Sequence, residues 1–297
     1  MKLILGSEQL GGIDWGRYSM KECQKAFLKA IDLGINKIDT ANIYGLGTAE
    51  RSIRKILGKK IYKVKIITKI GLSQSKIKDS KRAKIKIDLN KTALEKNIKS
   101  SLKNLNVDYL NTCLIHWPDE NIDYQETLDL LKDFRKKGYI KYFGFSNYEK
   151  IIEKKDVNKV HHLQLKFNLI SNDNFNFINK FSKRVEISTY GILAHGFLTG
   201  KYNLNHKFDH TDRRHRLIEF KKYFLKKNRN KLNFLKKCAN DLDLPLSSLC
   251  LAMTSNLIKN SNIIVGFKNT DQIIKNIDSL KTQLPKEIIS QYKKLFL

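Results

Sequence analysis

Residues 37–51 read KIDTANIYGLGTAER. An apolar run ends in Asp39, a turn of glycines and small residues carries Tyr44, and Thr48 opens a helical pattern with Glu50 and Arg51 in its first turn. This is a strand, a loop and a helix start, and the loop presents a carboxylate and a phenol. Taken alone, Asp39 and Thr40 read equally as a capped turn and Tyr44 as a packed aromatic with a wet hydroxyl. The stretch becomes a reaction centre if a lysine and a histidine reach the same rim, so the fold decides.

The same unit recurs along the chain: a short apolar run, a loop, then an amphipathic segment. The runs fall at 3–6, 37–39, 64–69, 109–116, 140–145, 161–167, 185–190 and 262–266. Helical patterns fall at 21–33, 48–57, 91–105, 124–137, 148–157, 174–182, 228–242 with 245–255, and 270–280. KIITK, NTCLI and NIIVG are near-continuously apolar, as strands covered on both faces must be. Such units in 297 residues predict a single domain over 1–297, a (β/α)8 TIM barrel of parallel strands. The alternative, a doubly wound open sheet, lacks a GxGxxG after its first run. Residues 285–297 predict an extra C-terminal helix packed outside the barrel.

Composition excludes several classes. No apolar run has the length of a membrane span, and the apolar part of MKLILGSEQL is too short for a signal peptide. Cys23, Cys113, Cys238 and Cys250 form no CxxC pair and read as reduced thiols of a cytoplasmic protein. With 57 basic and 29 acidic residues the net charge is +28. A nucleic-acid or anionic-membrane partner is one reading. However, ten of the basic residues are Arg, and the lysines are spread evenly amid abundant Ile and Asn. That is codon drift, with polyanion affinity confined to low salt. The expectation is no specific nucleic acid and no membrane partner. His161–His162 alternate across a strand, and His206 and His210 lie in a loop without nearby Cys, so no metal site is expected.

In a barrel of this kind the strand C-termini and following loops carry the chemistry. Those ends hold Asp39 with Tyr44, then Lys69, His116, Ser146 with Asn147, Gln164, Tyr190, and Gly266 with Lys268. An ammonium beside a phenol lowers its pKa. Lys69, held by Asp39, would thus poise Tyr44 as a proton donor near neutral pH, with His116 orienting a carbonyl oxygen. No side chain supplies a hydride, so a nicotinamide cofactor must. Ser146, Asn147 and Gln164 suit its carboxamide, Tyr190 its ring, and Gly266–Asn269 leading into a helix suits phosphate. Trp15 and Trp117 are candidate substrate-binding walls; Trp15 reads equally as the anchor of its own loop. The basic segment 203–229 reads as a loop over the cofactor, with Arg213 or Arg214 reaching a phosphate.

IDTANIYGLGTAE (38–50), ITKIG (67–71), LIHWPD (114–119), GFSNY (144–148), YGILAHGFLTGKY (190–202), DRRHRLIEF (212–220) and IIVGFKNTDQIIKNI (263–277) together resemble the aldo-keto reductase family, in its order and at its spacing. The resemblance implies an NADP(H)-dependent aldehyde or ketone reductase, with Asp39, Tyr44, Lys69 and His116 as its catalytic tetrad. It implies that Gly191, Ile192, Leu193 and the loop through Lys201 approach the pyrophosphate. It places Lys268 near the 2′-phosphate, and Gln272 and Asn276 at the adenosine end. Related barrels also serve as potassium-channel β-subunits with little turnover, a second class of function. Two departures stand out. Leu3 already begins the first strand, so the family's usual floor hairpin is missing, and Ile192 follows Gly191 where a proline is usual after the stacking aromatic. The substrate is a small-molecule carbonyl, a sugar derivative or a simple aldehyde alike.

Overall fold

The computed structural model describes residues 2–76, 83–152, 154–202 and 206–297. Eight parallel strands close into a barrel in the order β1-β10-β9-β8-β7-β6-β3-β2. They are β1 (Leu3–Gly6), β2 (Lys37–Asp39), β3 (Lys65–Ile70), β6 (Leu110–Ile115), β7 (Ile140–Ser146), β8 (His162–Lys166), β9 (Glu186–Tyr190) and β10 (Asn262–Val265). The surrounding helices are α1 (Met20–Asp32), α2 (Thr48–Leu57), α3 (Lys91–Leu105), α4 (Tyr124–Lys136), α5 (Phe175–Phe181), α6 (Lys222–Lys227), α7 (Arg229–Asp241), α8 (Leu246–Leu257), α9 (Thr270–Lys281) and α10 (Lys286–Phe296).

Local chemistry explains these bounds. Asn90 caps α3 by accepting from Ala93 N at 2.9 Å. The helix then buries Leu94, Ile98, Ser101 and Leu105, at the spacing of one helical face. Each fully buried leucine or isoleucine there contributes about 1.5–3 kcal/mol over exposure. By contrast α8 is buried nearly all round, through Leu249, Cys250, Leu251, Ala252, Met253 and Thr254. It is covered on its outer side by α10, whose Tyr292 hydroxyl donates to Leu169 O at 2.5 Å. The extra C-terminal helix therefore packs outside the barrel.

Two expectations need correction. The segment 148–157 is a run of turns ending in a short 3-10 helix (Val157–Lys159), with residue 153 outside the described residues. Tyr148 O accepts from both Ile151 N and Ile152 N. Asp156 is held by the Tyr124 hydroxyl at 2.5 Å, which anchors the segment as a loop. Between β3 and α3 the chain also makes an unforeseen antiparallel hairpin, β4 (Leu72–Lys76) with β5 (Ala83–Ile87). Of the long segment 203–229, residues 203–205 lie outside the described residues. The rest forms 3-10 turns and α6, pinned by aromatic contacts among Tyr202, Phe208 and Phe220.

Inside the barrel, Ile4, Ile67, Leu114 and Ile264 form an apolar plug. Below it the strand starts carry a polar floor. Lys37 is ion-paired with Glu186, Asn262 donates to Glu186 at 2.9 Å, and His162 Nδ1 lies 3.8 Å from Glu186. Polar side chains thus meet across the floor at the strand starts. Above the plug lies the rim.

Candidate active site

Parallel register sets the strand ends side by side: Gly6 beside Asp39, Asp39 beside Ile67, Ser146 beside Gln164, and Lys166 beside Tyr190. The side chains that point inward from these ends converge on one cavity of about 1030 Å³. It is lined by Asp39, Tyr44, His116, Ser146, Asn147, Gln164, Tyr190, Gly191, Ile192, Leu193, Lys201, Gly266, Lys268, Gln272, Asn276, Trp15 and Trp117. Lys69 sits behind this lining, 1% exposed.

Lys69 Nζ donates to both carboxylate oxygens of Asp39 at 2.7 and 2.8 Å and to Thr40 O at 2.9 Å. The Tyr44 hydroxyl is 3.4 Å from the same nitrogen. A buried ammonium is tolerated only when paired and hydrogen-bonded in this way. The His116 ring meets the Tyr44 ring edge-on at 6.1 Å and stacks on Trp117 at 6.5 Å. His116 Nδ1 is buried without a hydrogen-bond partner among the described residues. Burial, then the charges of Lys69 and Arg213, hold this imidazole neutral, well below its usual range.

The expected tuning of Tyr44 is corrected here. Its pKa is raised well above the ordinary phenol range, first by burial and then by the Asp39 and Glu8 carboxylates. Burial disfavours the phenolate first, and the Asp39 carboxylate, paired at contact distance with Lys69, disfavours it further. Tyr44 is therefore a firmly protonated phenol, a donor rather than a group half-ionised at neutral pH.

Beyond the tetrad the cavity continues. The Tyr190 hydroxyl donates to Asn147 Oδ1 at 2.7 Å, and Asn147 Nδ2 donates to Ser146 Oγ at 3.1 Å and His116 O at 3.3 Å. This fixes the Tyr190 ring as one wall. Gly191 follows with φ 74, left-handed backbone that suits glycine, and Ile192 after it is buried. At the far end Lys268 Nζ donates to Trp15 O at 2.6 Å and lies over the Tyr18 ring. Asn269 caps α9 by accepting from Gln272 N at 3.0 Å.

The sequence left a choice between two arginines, and each has a distinct place. Arg214 is buried and bonded to Asp212 and to the Tyr202 hydroxyl. Arg213 pairs with Glu8 and lies over the Trp15 ring at 4.9 Å. Trp15, 9% exposed, is thus both cavity wall and loop anchor, gripped between the β1 and β9 loops. Trp117 is 43% exposed at the mouth. Glu8, Leu72 and Ile85 also line the cavity and were not foreseen. Glu8 stands two residues beyond the first strand, and AKIKI (83–87) alternates as a strand should, so each left a readable trace. His161 faces outward to Arg135 while His162 is buried, as strand alternation requires. Among the described residues no group of three or more His, Cys, Asp or Glu is placed to hold a metal ion. None of their helices is long and apolar enough to cross a membrane.

The closed parallel barrel thus carries a buried Asp–Lys pair with a tyrosine and a histidine beside it on its C-terminal rim. The profile of the Aldo/keto reductase family matches residues 2–296, and the chain belongs to that family. It is 31% identical over 244 residues to "Aldo-keto reductase YhdN" of Bacillus subtilis, covering 80% of this chain and 72% of that one. It is 27% identical over 277 residues to the "Probable voltage-gated potassium channel subunit beta" of Oryza sativa, covering 86% and 81%. In fold it resembles the glycerol dehydrogenase AKR11B4 from Gluconobacter oxydans, with TM-score 0.82, 24% identity and coverage of 99% and 90%. It also resembles an aldo/keto reductase from Klebsiella pneumoniae solved with NADP and acetate, with TM-score 0.68, 19% identity and coverage of 99% and 91%.

Proposed function

We propose that this protein is an NADP(H)-dependent carbonyl reductase acting on a small aldehyde or ketone. The observation that carries the reading is the arrangement around Lys69: one buried ammonium bonded twice to Asp39 and 3.4 Å from the Tyr44 hydroxyl. Bound NADPH would supply the hydride. Tyr44 gives its phenolic proton to the carbonyl oxygen as negative charge develops there. His116, neutral and adjacent, offers that oxygen a further polar contact. Lys69 and Asp39 hold Tyr44 in place.

The cavity fits such a cofactor. Tyr190 gives a fixed flat wall beside Ser146, Asn147 and Gln164. At the other end burial, then Arg214 and Lys201, push the Lys268 ammonium down to about 8, with Asp212 opposing. Lys201, Arg214 and Lys268 all line this end of the cavity, which suits an anion such as a 2′-phosphate. Ser146, Asn147 and Gln164 would hold the carboxamide, and Gly191, Ile192, Leu193, Lys201 and Gly266 would run beside the pyrophosphate. Lys268, Gln272 and Asn276 would take the adenosine end, and Trp15 and Trp117 would wall the substrate. A carbonyl panel run with NADPH and NADH in parallel tests both halves. Turnover with NADPH favoured over NADH supports the reading; no turnover with either nucleotide on any carbonyl overturns it.

A second reading is a regulatory module that keeps cofactor with little turnover. The similarity to a channel β-subunit over most of the chain favours it. Tight NADPH retention with negligible activity across the same panel would select it.

A further inference from the structure

A polar column runs from the barrel floor to the Asp39–Lys69 pair. His162 Nε2 lies 2.7 Å from Ser188 Oγ, Gln164 Nε2 lies 3.4 Å from the same oxygen, and Gln164 Nε2 donates to Asp39 Oδ2 at 2.7 Å. On its far side His162 Nδ1 faces Glu186 Oε2 at 3.8 Å. The column is shut off from water: His162 and Gln164 are each 2% exposed and Ser188 is 0% exposed. Strand geometry builds it. His162 and Gln164 stand two apart on β8, so both point inward. Their neighbours in register on β9 are Glu186 and Ser188.

The donors and acceptors of this column can be assigned. Asp39 only accepts, so the Gln164 nitrogen donates toward it and toward the Ser188 oxygen, and the Ser188 hydrogen is left for His162 Nε2. The neutral imidazole then carries its proton on Nδ1, which faces Glu186 at 3.8 Å, beyond hydrogen-bond reach. The Ser188 oxygen then accepts from Gln164, whose second amide hydrogen goes to Asp39. Burial holds His162 at about 4, so it stays neutral and the pattern persists at ordinary pH. Both hydrogens of the Gln164 amide are thereby committed within the barrel. The carbonyl oxygen is its remaining polar atom, on a side chain that lines the cavity.

We propose that His162 and Ser188 are positioning residues that hold the plane of the Gln164 amide so that its carbonyl oxygen meets the carboxamide of the nicotinamide. A carboxamide nitrogen can only donate, so a fixed carbonyl oxygen is its complement. With Ser188 unable to bond, Asp39 alone holds the amide nitrogen, and the amide plane can rotate about that single bond and carry its carbonyl oxygen away from the carboxamide. This inference rests on the NADP(H) reading above.

The test is fluorescence titration of NADPH and of 2′,5′-ADP, which lacks the nicotinamide half. The proteins are the wild type, Ser188→Ala, His162→Leu and His162→Gln. Losing one oriented hydrogen bond corresponds to about five- to tenfold in affinity. Ser188→Ala and His162→Leu are expected to weaken NADPH by that factor and leave 2′,5′-ADP unchanged. His162→Gln, which keeps an acceptor toward Ser188, is expected to recover most of the loss. The inference is overturned if Ser188→Ala binds NADPH like the wild type, if both ligands weaken alike, or if His162→Gln is as poor as His162→Leu. A wild-type protein that binds neither ligand overturns the cofactor reading itself, and this inference with it.

Discussion

Tyr44 behaves as it does because it is buried beside the Asp39 carboxylate. Lys69, bonded to both oxygens of Asp39, stands 3.4 Å from the phenol. The sign of the pH dependence follows. A phenol whose pKa is raised by burial and by Asp39 stays protonated as pH rises through neutrality. Carbonyl reduction is therefore expected to show no loss of kcat between pH 6 and 9. Oxidation of the alcohol, which needs the phenolate, should rise with pH throughout. A pH profile in both directions checks this, and a reductive midpoint near 7 would speak against it. The ion pair also carries stability. Lys69→Met leaves the 4%-exposed Asp39 without its cation. Removing one partner of a buried pair costs about 3–5 kcal/mol, which urea unfolding would read. A loss under 1 kcal/mol would mean that water reaches Asp39.

Among the elements, β7 and β8 meet in register at Gly144 and His162. A Cβ built there would lie 1.7 Å from His162 O, a backbone atom that cannot swing away. Gly144→Ala must therefore part the strands that carry Ser146, Gln164 and His162. The expected result is a destabilisation above about 3 kcal/mol or no soluble protein. A variant with wild-type unfolding would show that the β7–β8 register is wrong. Most elements are legible in the amino-acid sequence itself. α2 and α3 occupy the expected residues because apolar positions recur at helical spacing, with an Asn cap on α3. The β4–β5 hairpin escaped because LSQSK carries no apolar alternation, although AKIKI does. The segment 148–157 misled because Ile151, Ile152 and Val157 mimic a helical stripe. The ties from Tyr148 O and from Asp156 to Tyr124, which hold it as turns, are tertiary and leave no local period. At the rim the same division holds. Asp39, Lys69, His116 and Gln164 were legible because the barrel puts strand ends there. Glu8 and the placing of Arg213 come from turns, where only folding decides what meets what.

For the molecule as a whole, burial of neutral histidines makes acid the weak side. His162 and His195 are each held near 4, by burial first. His116 is also well below its usual range. In the unfolded chain each titrates near 6.5. Below that pH the unfolded state takes up protons that the folded state refuses, so stability falls as pH drops from 6.5 toward 4. The slope is on the order of 1 kcal/mol per histidine per pH unit. Urea midpoints at pH 7 and pH 5 should differ clearly, and equal midpoints would show that these imidazoles accept protons in place.

The central claim is that Tyr44 delivers the proton while the rest of the cavity holds the cofactor. Tyr44→Phe tests it most directly, with NADPH oxidation measured on any carbonyl the wild type reduces and NADPH affinity measured by titration. The account predicts turnover reduced at least about a hundredfold, as loss of a general acid implies, with NADPH affinity unchanged. Normal turnover by Tyr44→Phe would contradict it.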